Sequence, residues 1–440
     1  MRHLLTAIVL AIGGIYLPAA AQTLAIHSSP QPPSRPIAEA QPVPASAIMS
    51  PRPMLRPAKP ETIVTEASAA GFQNWINGFV PRARRQGISD STLRGSLTGI
   101  TYDSSIIRLD GNQSEFSKQL WEYLDSAVSS SRIANGRAGL TRYATTLDQI
   151  ERKYGVDKEV VVAIWGLESA YGSNRGSTDV ISALATLAYD GRRGAFFEEQ
   201  LVAALKIVQA GDISPRAMKG SWAGAMGHTQ FMPTSYLDHA VDFRGDGRRD
   251  IWSDDPTDAL ASTAAYLAGF GWRQGHPWGV EVQLPQGFNY AQAGDHTKRS
   301  VQRWTQMGVR DMAGRAVPNY GEASILLPAG ARGPAFMIFN NFEVLERYNA
   351  ADSYVIAVGH LSDRLKGGPG IRASWPRGDR SLKLSERKEL QQRLSAAGFS
   401  TKGIDGRIGP NTIEAIQNYQ QARGLLPDGY PSYGLLQHMR

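Results

Sequence analysis

The chain has 440 residues, 42% of them hydrophobic and 20% charged, with a formal net charge of +7 and no cysteine. That length is too great for one small domain and predicts about two or three, and the apolar content suffices for sizeable cores and argues against global disorder. The missing cysteines exclude disulfides, thiolate metal sites, a cysteine nucleophile and a lipid-modified N-terminal cysteine, while the basic excess is spread without a Lys/Arg run or module that would point to nucleic acid.

At the start, Arg2 and His3 precede an apolar run over residues 4–17 and then Pro18, Ala19, Ala20 and Ala21. This reads as a secretory signal peptide over residues 1–21, too short in its apolar part to span a bilayer. The expectation is export to the periplasm as a soluble protein without a membrane anchor. Residues 22–70 include a stretch from about 28 to 60 dense in Pro, Ala and Ser, with too little apolar surface to fold, and read as an extended tether. The folded part is expected from residue 71, where Phe72, Trp75, Ile76 and Phe79 fall at helical spacing. Helical patterns continue over 115–128, 140–156, 179–191 and 194–211.

Residues 160–172, VVVAIWGLESAYG, plant one carboxylate, Glu168, in an apolar helical segment. Asp157 is the expected N-cap and Gly172 the expected stop. The helical neighbours of Glu168 are Ile164, Trp165, Tyr171 and Gly172, an aromatic and apolar surrounding that disfavours the charged form of a carboxyl and suits a general acid. The alternative is a structural Glu paired with a cation such as Arg175.

Residues 220–236, GSWAGAMGHTQFMPTSY, are crowded with Gly, Ala and Ser, which let backbone approach backbone or let a ligand approach backbone closely. Residues 242–258 invite a calcium-loop reading. Asp242, Asp246, Gly247 and Asp250 hold its first, fifth, sixth and ninth places, but Arg244 holds the third and Ser253 the twelfth. The candidate ligands are Asp242, Asp246, Asp250 and Asp258, and the alternative is an Asp-capped turn. Beyond Trp272, the strand-like runs 280–284 and 323–328 predict a small β-containing lobe, with the helical core resuming near Arg347.

The three segments IWGLESAYG, GSWAGAMGHTQFMPTSY and DFRGDGRRDIW, in this order, resemble the lytic murein transglycosylase B family, glycoside hydrolase family 103, over residues 71–366. The resemblance implies a mainly α (α+β) architecture: a lysozyme-like helical catalytic core with a small β-containing lobe and a deep groove for glycan strands. By motif position it implies Glu168 as the single catalytic acid/base, with Ser221 beside it and Gln230 and Phe231 lining sugar subsites. Tyr266, Tyr348, Asn349 and Tyr354 match further groove residues. It also implies that no cofactor is required, with a structural calcium ion open at the Asp loop. The C-terminal residues 383–440, with the turn GIDGRIGPNT, resemble the peptidoglycan-binding domain type 1, a small three-helix module reached through a linker at 367–382. The expected partners are peptidoglycan glycan strands, and other cell-wall enzymes remain open.

Most glycosidases need two carboxylates, and the motifs supply one. The resemblance implies that the substrate furnishes the second group. The C6 hydroxyl of N-acetylmuramic acid would attack its own anomeric carbon and leave a 1,6-anhydro end. The rivals are a hydrolytic muramidase using Asp190 or Glu198 to activate water, and a non-catalytic peptidoglycan-binding protein.

Overall fold

A computed structural model describes residues 69–111 and 119–440. The expected signal peptide and nearly all of the tether lie outside the described residues. Residues 69 and 70 already belong to the first helix, Ala69–Arg85, which buries Phe72, Ile76 and Phe79 and leaves Trp75 half-exposed.

The fold is built around the helix Lys158–Ser169. Every residue from Val160 to Ser169 is buried, as expected of a helix apolar on all sides and surrounded by others. It packs against Ser130–Arg142, Ala144–Tyr154, Thr257–Gly269 and Asp352–Leu365. The single helical pattern read over 140–156 is two helices jointed at Tyr143, whose N–H reaches the carbonyl of Gly139. Val180–Asp190 and Gly194–Ala210 follow as expected, the first capped by the Asp179 carboxylate on the N–H of Ser182 at 2.9 Å.

Asp157 does not cap the central helix through its side chain. Its carboxylate accepts from Trp272 Nε1 at 2.9 Å and pairs with Lys366 Nζ at 2.9 Å. A buried carboxylate gains more from a cation and an indole N–H than from one weak cap contact, and both partners lie too far along the chain to be read locally.

The expected β-lobe is a five-stranded antiparallel sheet, in the order Gly294–Ser300, Glu322–Leu326, Ala335–Ile338, Gly279–Gln283, Arg310–Asp311. Its central strand Ala335–Ile338 is buried at all four positions because both faces are covered. Phe336 and Ile338 join the helical core, while Ala335 and Met337 join the lobe's own core around Trp304. The helical core resumes at Asn340 with the helix Asn340–Tyr348, earlier than the expected Arg347. The apolar strand before it had masked the boundary.

The C-terminal module has helices Leu384–Ala396, Pro410–Ala422 and Tyr433–Met439 around Leu390, Leu394, Ile416 and Leu436. Gln391 is buried and braces the GIDGRIGPNT turn. Its amide donates to the carbonyl of Arg407 at 2.9 Å and accepts from the N–H of Gly406 at 2.7 Å. Leu382, at the end of the expected linker, also packs into this core.

The intervening residues are bound to the body of the protein. Glu281 accepts from the N–H groups of Arg372 and Ala373, Trp375 packs on buried Trp121 with ring centroids 6.0 Å apart, and Arg377 pairs with Asp125 at 2.7 Å. A proline-rich, apolar-poor stretch reads as a linker because its anchors lie on other elements.

Candidate active site

Glu168 is 3% exposed and is the penultimate residue of the buried helix. Tyr354, 1% exposed and near the start of the helix Asp352–Leu365, donates its hydroxyl to Glu168 Oε1 at 2.7 Å. Burial first, and then the charge of Glu168, push the Tyr354 phenol well above its ordinary range. It therefore stays protonated and remains a donor. Arg175, the alternative partner considered for Glu168, instead donates to the carbonyl of Ser253 at 2.7 Å and to Asp254 at 2.8 Å.

The helix stops at Ala170, two residues before the expected Gly172. Ala170, Tyr171 and Gly172 follow one another in the left-handed region, with φ of 49°, 60° and 84°. The first two carry a β-carbon, so each conformation costs about 1–2 kcal/mol, and tertiary contacts hold it. Tyr171 donates to the carbonyl of Arg132 at 2.7 Å, and its ring meets Trp165 edge-on. Ser169 Oγ accepts from the N–H of Gly172 at 2.9 Å and donates to the carbonyl of His228 at 2.6 Å. Strain of this kind collects where a side chain must be held in one place.

His228 ties this turn to the Asp loop. Trp165 Nε1 can only donate, so at 3.1 Å it makes His228 Nδ1 an acceptor. Nε2 then carries the proton and donates to the carbonyl of Ser253 at 2.7 Å. Burial holds the His228 pKa below its usual value, which keeps this neutral form. The sequence reading missed His228 and Arg132. His228 lies inside the motif 220–236, but nothing local shows that its ring faces Trp165. Arg132 donates to the carbonyl of Gly166 and so caps the central helix from a neighbouring one.

The small-residue segment does bring backbone to backbone. Gly220 pairs with Thr178, and bridges join Gly220 to Met226 and Met226 to Phe231. Ser221 is a turn-holding residue here: its Oγ accepts from the N–H of Ala225 at 3.0 Å. Gln230 is 2% exposed with φ of 54°. Its amide donates to the carbonyls of Gly227 at 2.8 Å and Arg175 at 3.1 Å, while its Oε1 and the hydroxyl of Thr229 are buried without a hydrogen-bond partner. Two such orphans side by side call for an explanation.

Phe231 packs between Tyr266 and Tyr348, each at 6.0 Å, and Tyr348 donates to the carbonyl of Thr229. Tyr266 donates to the carbonyl of Arg347 at 2.5 Å, and Asn349 Oδ1 accepts from the N–H of Ala351 at 3.1 Å. The expected residues thus form two connected groups: Glu168 with Tyr354, and Phe231 with Tyr266 and Tyr348, the last of which holds the Thr229 carbonyl beside Gln230.

The two rival second carboxylates sit in different surroundings. Glu198 is clamped by Arg82 through two hydrogen bonds of 2.7 and 2.9 Å. Asp190 is pushed towards its protonated form by burial and by nearby Asp110.

In the Asp loop, carboxylate oxygens of Asp242, Asp246 and Asp258 lie within 4.8 Å of one another. Asp250, the fourth expected ligand, is outside that set and accepts from the N–H groups of Trp252 and Ser253. The guanidinium of Arg244 stands among the acids, its Nη2 3.3 Å from Asp246 and 3.5 Å from Asp258. A cation already between the oxygens does not fit a divalent ion there.

The family of the transglycosylase SLT domain matches residues 71–363, and the peptidoglycan binding domain family matches residues 383–439. The chain is 31% identical over 311 residues to the membrane-bound lytic murein transglycosylase B of Escherichia coli (strain K12), a match covering 67% of this chain and 82% of that protein. Among solved structures, SltB3 from Pseudomonas aeruginosa in complex with NAG-anhNAM-pentapeptide is similar with a TM-score of 0.80 at 45% identity, covering 84% of this chain and 99% of that one. The Escherichia coli lytic transglycosylase Slt35 in complex with calcium is similar with a TM-score of 0.58 at 31% identity, covering 68% of this chain and 94% of that one.

Proposed function

The chain belongs to the transglycosylase SLT-domain family of lytic murein transglycosylases, and from that premise we propose that Glu168 is the single acid/base of its reaction. The protein is a peptidoglycan lytic transglycosylase. It cleaves the β-1,4 bond between N-acetylmuramic acid and N-acetylglucosamine without water. The observation that carries the assignment of Glu168 is its burial on the central helix, with the protonated Tyr354 hydroxyl 2.7 Å away.

In the first half of the reaction Glu168 gives its proton to the glycosidic oxygen, and the bond to the anomeric carbon breaks. The resulting carboxylate is a better acceptor for the Tyr354 hydroxyl, so that hydrogen bond strengthens as charge develops. Glu168 then takes the proton of the muramic acid C6 hydroxyl as its oxygen closes on the anomeric carbon. Ring closure is intramolecular, and such proximity is worth up to about 7–11 kcal/mol. Gln230, held by the carbonyls of Gly227 and Arg175, belongs to the sugar subsites beside Phe231. Phe231, Tyr266, Tyr348 and Asn349 line the sugar subsites, and Ser221 shapes the loop beside them. No step needs a metal. The first residues form a signal peptide that directs the protein to the periplasm. Among the described residues no helix is long and apolar enough to cross a membrane.

The released fragments are expected to end in 1,6-anhydro-N-acetylmuramic acid. Mass spectrometry of products from purified sacculi should show each fragment one water lighter than its hydrolysed counterpart, with ends that resist borohydride. Reducible ends, labelled at the anomeric carbon in heavy-oxygen water, would make the protein a muramidase.

The domains are a catalytic unit over 71–366 and a wall-binding module over 383–440, joined through 367–382. Because Trp375 and Arg377 anchor the connecting stretch to the core, a chain ending at Asp379 is expected to stay folded and turn over soluble glycan fragments normally. Its pelleting with insoluble peptidoglycan should fall about 10-fold or more, since a second site on one chain raises local concentration without touching the chemistry. Equal pelleting of the two forms would show that the module does not bind wall.

A further inference from the structure

Six aspartates fall between positions 242 and 258: Asp242, Asp246, Asp250, Asp254, Asp255 and Asp258. Asp254 is taken by Arg175. The other five surround one side chain or the turn that carries it. Arg244 places Nη2 3.3 Å from Asp246, 3.6 Å from Asp250 and 3.5 Å from Asp258, and Nη1 3.6 Å from Asp255. These are ion-pair separations without close hydrogen-bond geometry, the pattern of one positive charge shared among several carboxylates. We propose that Arg244 is a built-in cation, whose guanidinium does in this loop what a bound divalent metal would otherwise do, so that the loop folds without metal.

Two features of the loop support this. Its backbone keeps the form of a cation-binding turn. Asp242 gathers the N–H groups of Gly245 at 2.6 Å, Asp246 at 3.2 Å and Gly247 at 2.8 Å. Asp258, whose side chain is 0% exposed, gathers those of Phe243, Arg244 and Asp250 at 3.0, 3.2 and 3.0 Å. Secondly, a carboxylate buried to that degree needs a compensating charge as well as donors, and Arg244 is the cation that faces it at 3.5 Å. The charge comes from the third place of the loop, where a calcium loop carries an oxygen ligand, so the residue that removes a ligand also brings the counter-charge. A tethered cation has no dissociation equilibrium, and loop stability becomes independent of metal concentration. The far end of the loop presents the Ser253 carbonyl to His228 and Arg175, so the turn that follows Glu168 is supported without metal as well.

The test compares the full chain with Arg244→Asn, which removes the charge and restores an oxygen donor at the third place. Thermal melts are run in a chelator and in about 5 mM calcium, together with terbium titration read through sensitisation by Trp252. The expected result is an unmodified protein whose Tm is the same in both buffers and which gives no terbium signal. Arg244→Asn should melt about 5 °C lower in chelator, regain most of that loss in calcium, and sensitise terbium. A calcium-raised Tm or a terbium signal in the unmodified protein would overturn the proposal. So would an Arg244→Asn protein that ignores both ions. Should that variant fail to fold without metal, it is purified in calcium beside Arg244→Ser, and unfolding on chelation then counts as support. None of these readings depends on catalytic turnover, so they stand or fall apart from the role of Glu168.

Discussion

Replacing Glu168 with Gln is expected to lower turnover of peptidoglycan about 1000-fold, within the range that positioned proton transfer supplies. In barrier terms this is about 4 kcal/mol. Gln preserves the volume of the side chain and still offers an oxygen to the Tyr354 hydroxyl, so the buried hydrogen bond survives and the Tm should move by about 2 °C or less. The amide can neither protonate the leaving oxygen nor receive the C6 proton, and both halves of the reaction lose their proton carrier. Release of anhydro-muropeptides measured beside a thermal melt separates the two effects. A variant within about tenfold of normal turnover would remove Glu168 from the mechanism. A large fall in Tm would mean that the carboxylate holds the core together, and that the loss of activity has a structural origin.

Gly176→Ala is expected to be among the most destabilising single substitutions in the chain. Gly176 has φ of +84°, and a β-carbon there would lie 2.2 Å from the carbonyl carbon and oxygen of Gly220 and 2.7 Å from the N–H nitrogen of Ser221. The obstacle is backbone on a paired segment, Thr178 to Gly220, so no side chain can swing aside. Gly220 itself sits against the carbonyl of Ala225 and cannot retreat. The control is Gly211→Ala, with φ of +86° and nothing within 4 Å. Both substitutions carry the left-handed penalty of about 1–2 kcal/mol. Only Gly176→Ala adds the overpacking term, about 1–3 kcal/mol and occasionally more. Its Tm should therefore fall several degrees further than the control's, by about 2–4 °C per kcal/mol. Equal melts for the two variants would show that the Gly176–Gly220 approach is not rigid. The consequence reaches the site, because residues 220–231 carry Gln230 and Phe231.

Local rules account for much of the helical core. Apolar residues at helical spacing mark a buried face wherever they occur, and the run from Val160 to Leu167 could only be satisfied by a helix covered on every side. A lone acid inside such a run stands out as chemistry, and the small residues of 220–236 announce close backbone approach. The GIDGRIGPNT turn and Pro410 mark the second helix of the C-terminal module by turn chemistry alone. The single-carboxylate argument and the odd Arg244 in a calcium-like loop were likewise visible as residue types at fixed spacing.

What spacing could not reach are the contacts made across long stretches of chain. Tyr354 lies 186 residues from the carboxylate it holds, and no periodicity joins the two helices that carry them. The choice of Ala170 and Tyr171 as left-handed residues, where Gly172 was the local favourite, was made by Tyr171 reaching the Arg132 carbonyl and Ser169 reaching that of His228. Asp157 exchanged a side-chain cap for Lys366 and Trp272 for the same reason: a distant cation and indole N–H satisfy a buried carboxylate better than its nearest N–H groups. Arg244 shows the division most directly. Residue identity and spacing are local, and they already place a cation at the third position of an acidic loop. That its guanidinium turns inward follows from packing: buried Asp258, on the following helix, needs a positive charge, and among the described residues Arg244 is the cation that pairs with it.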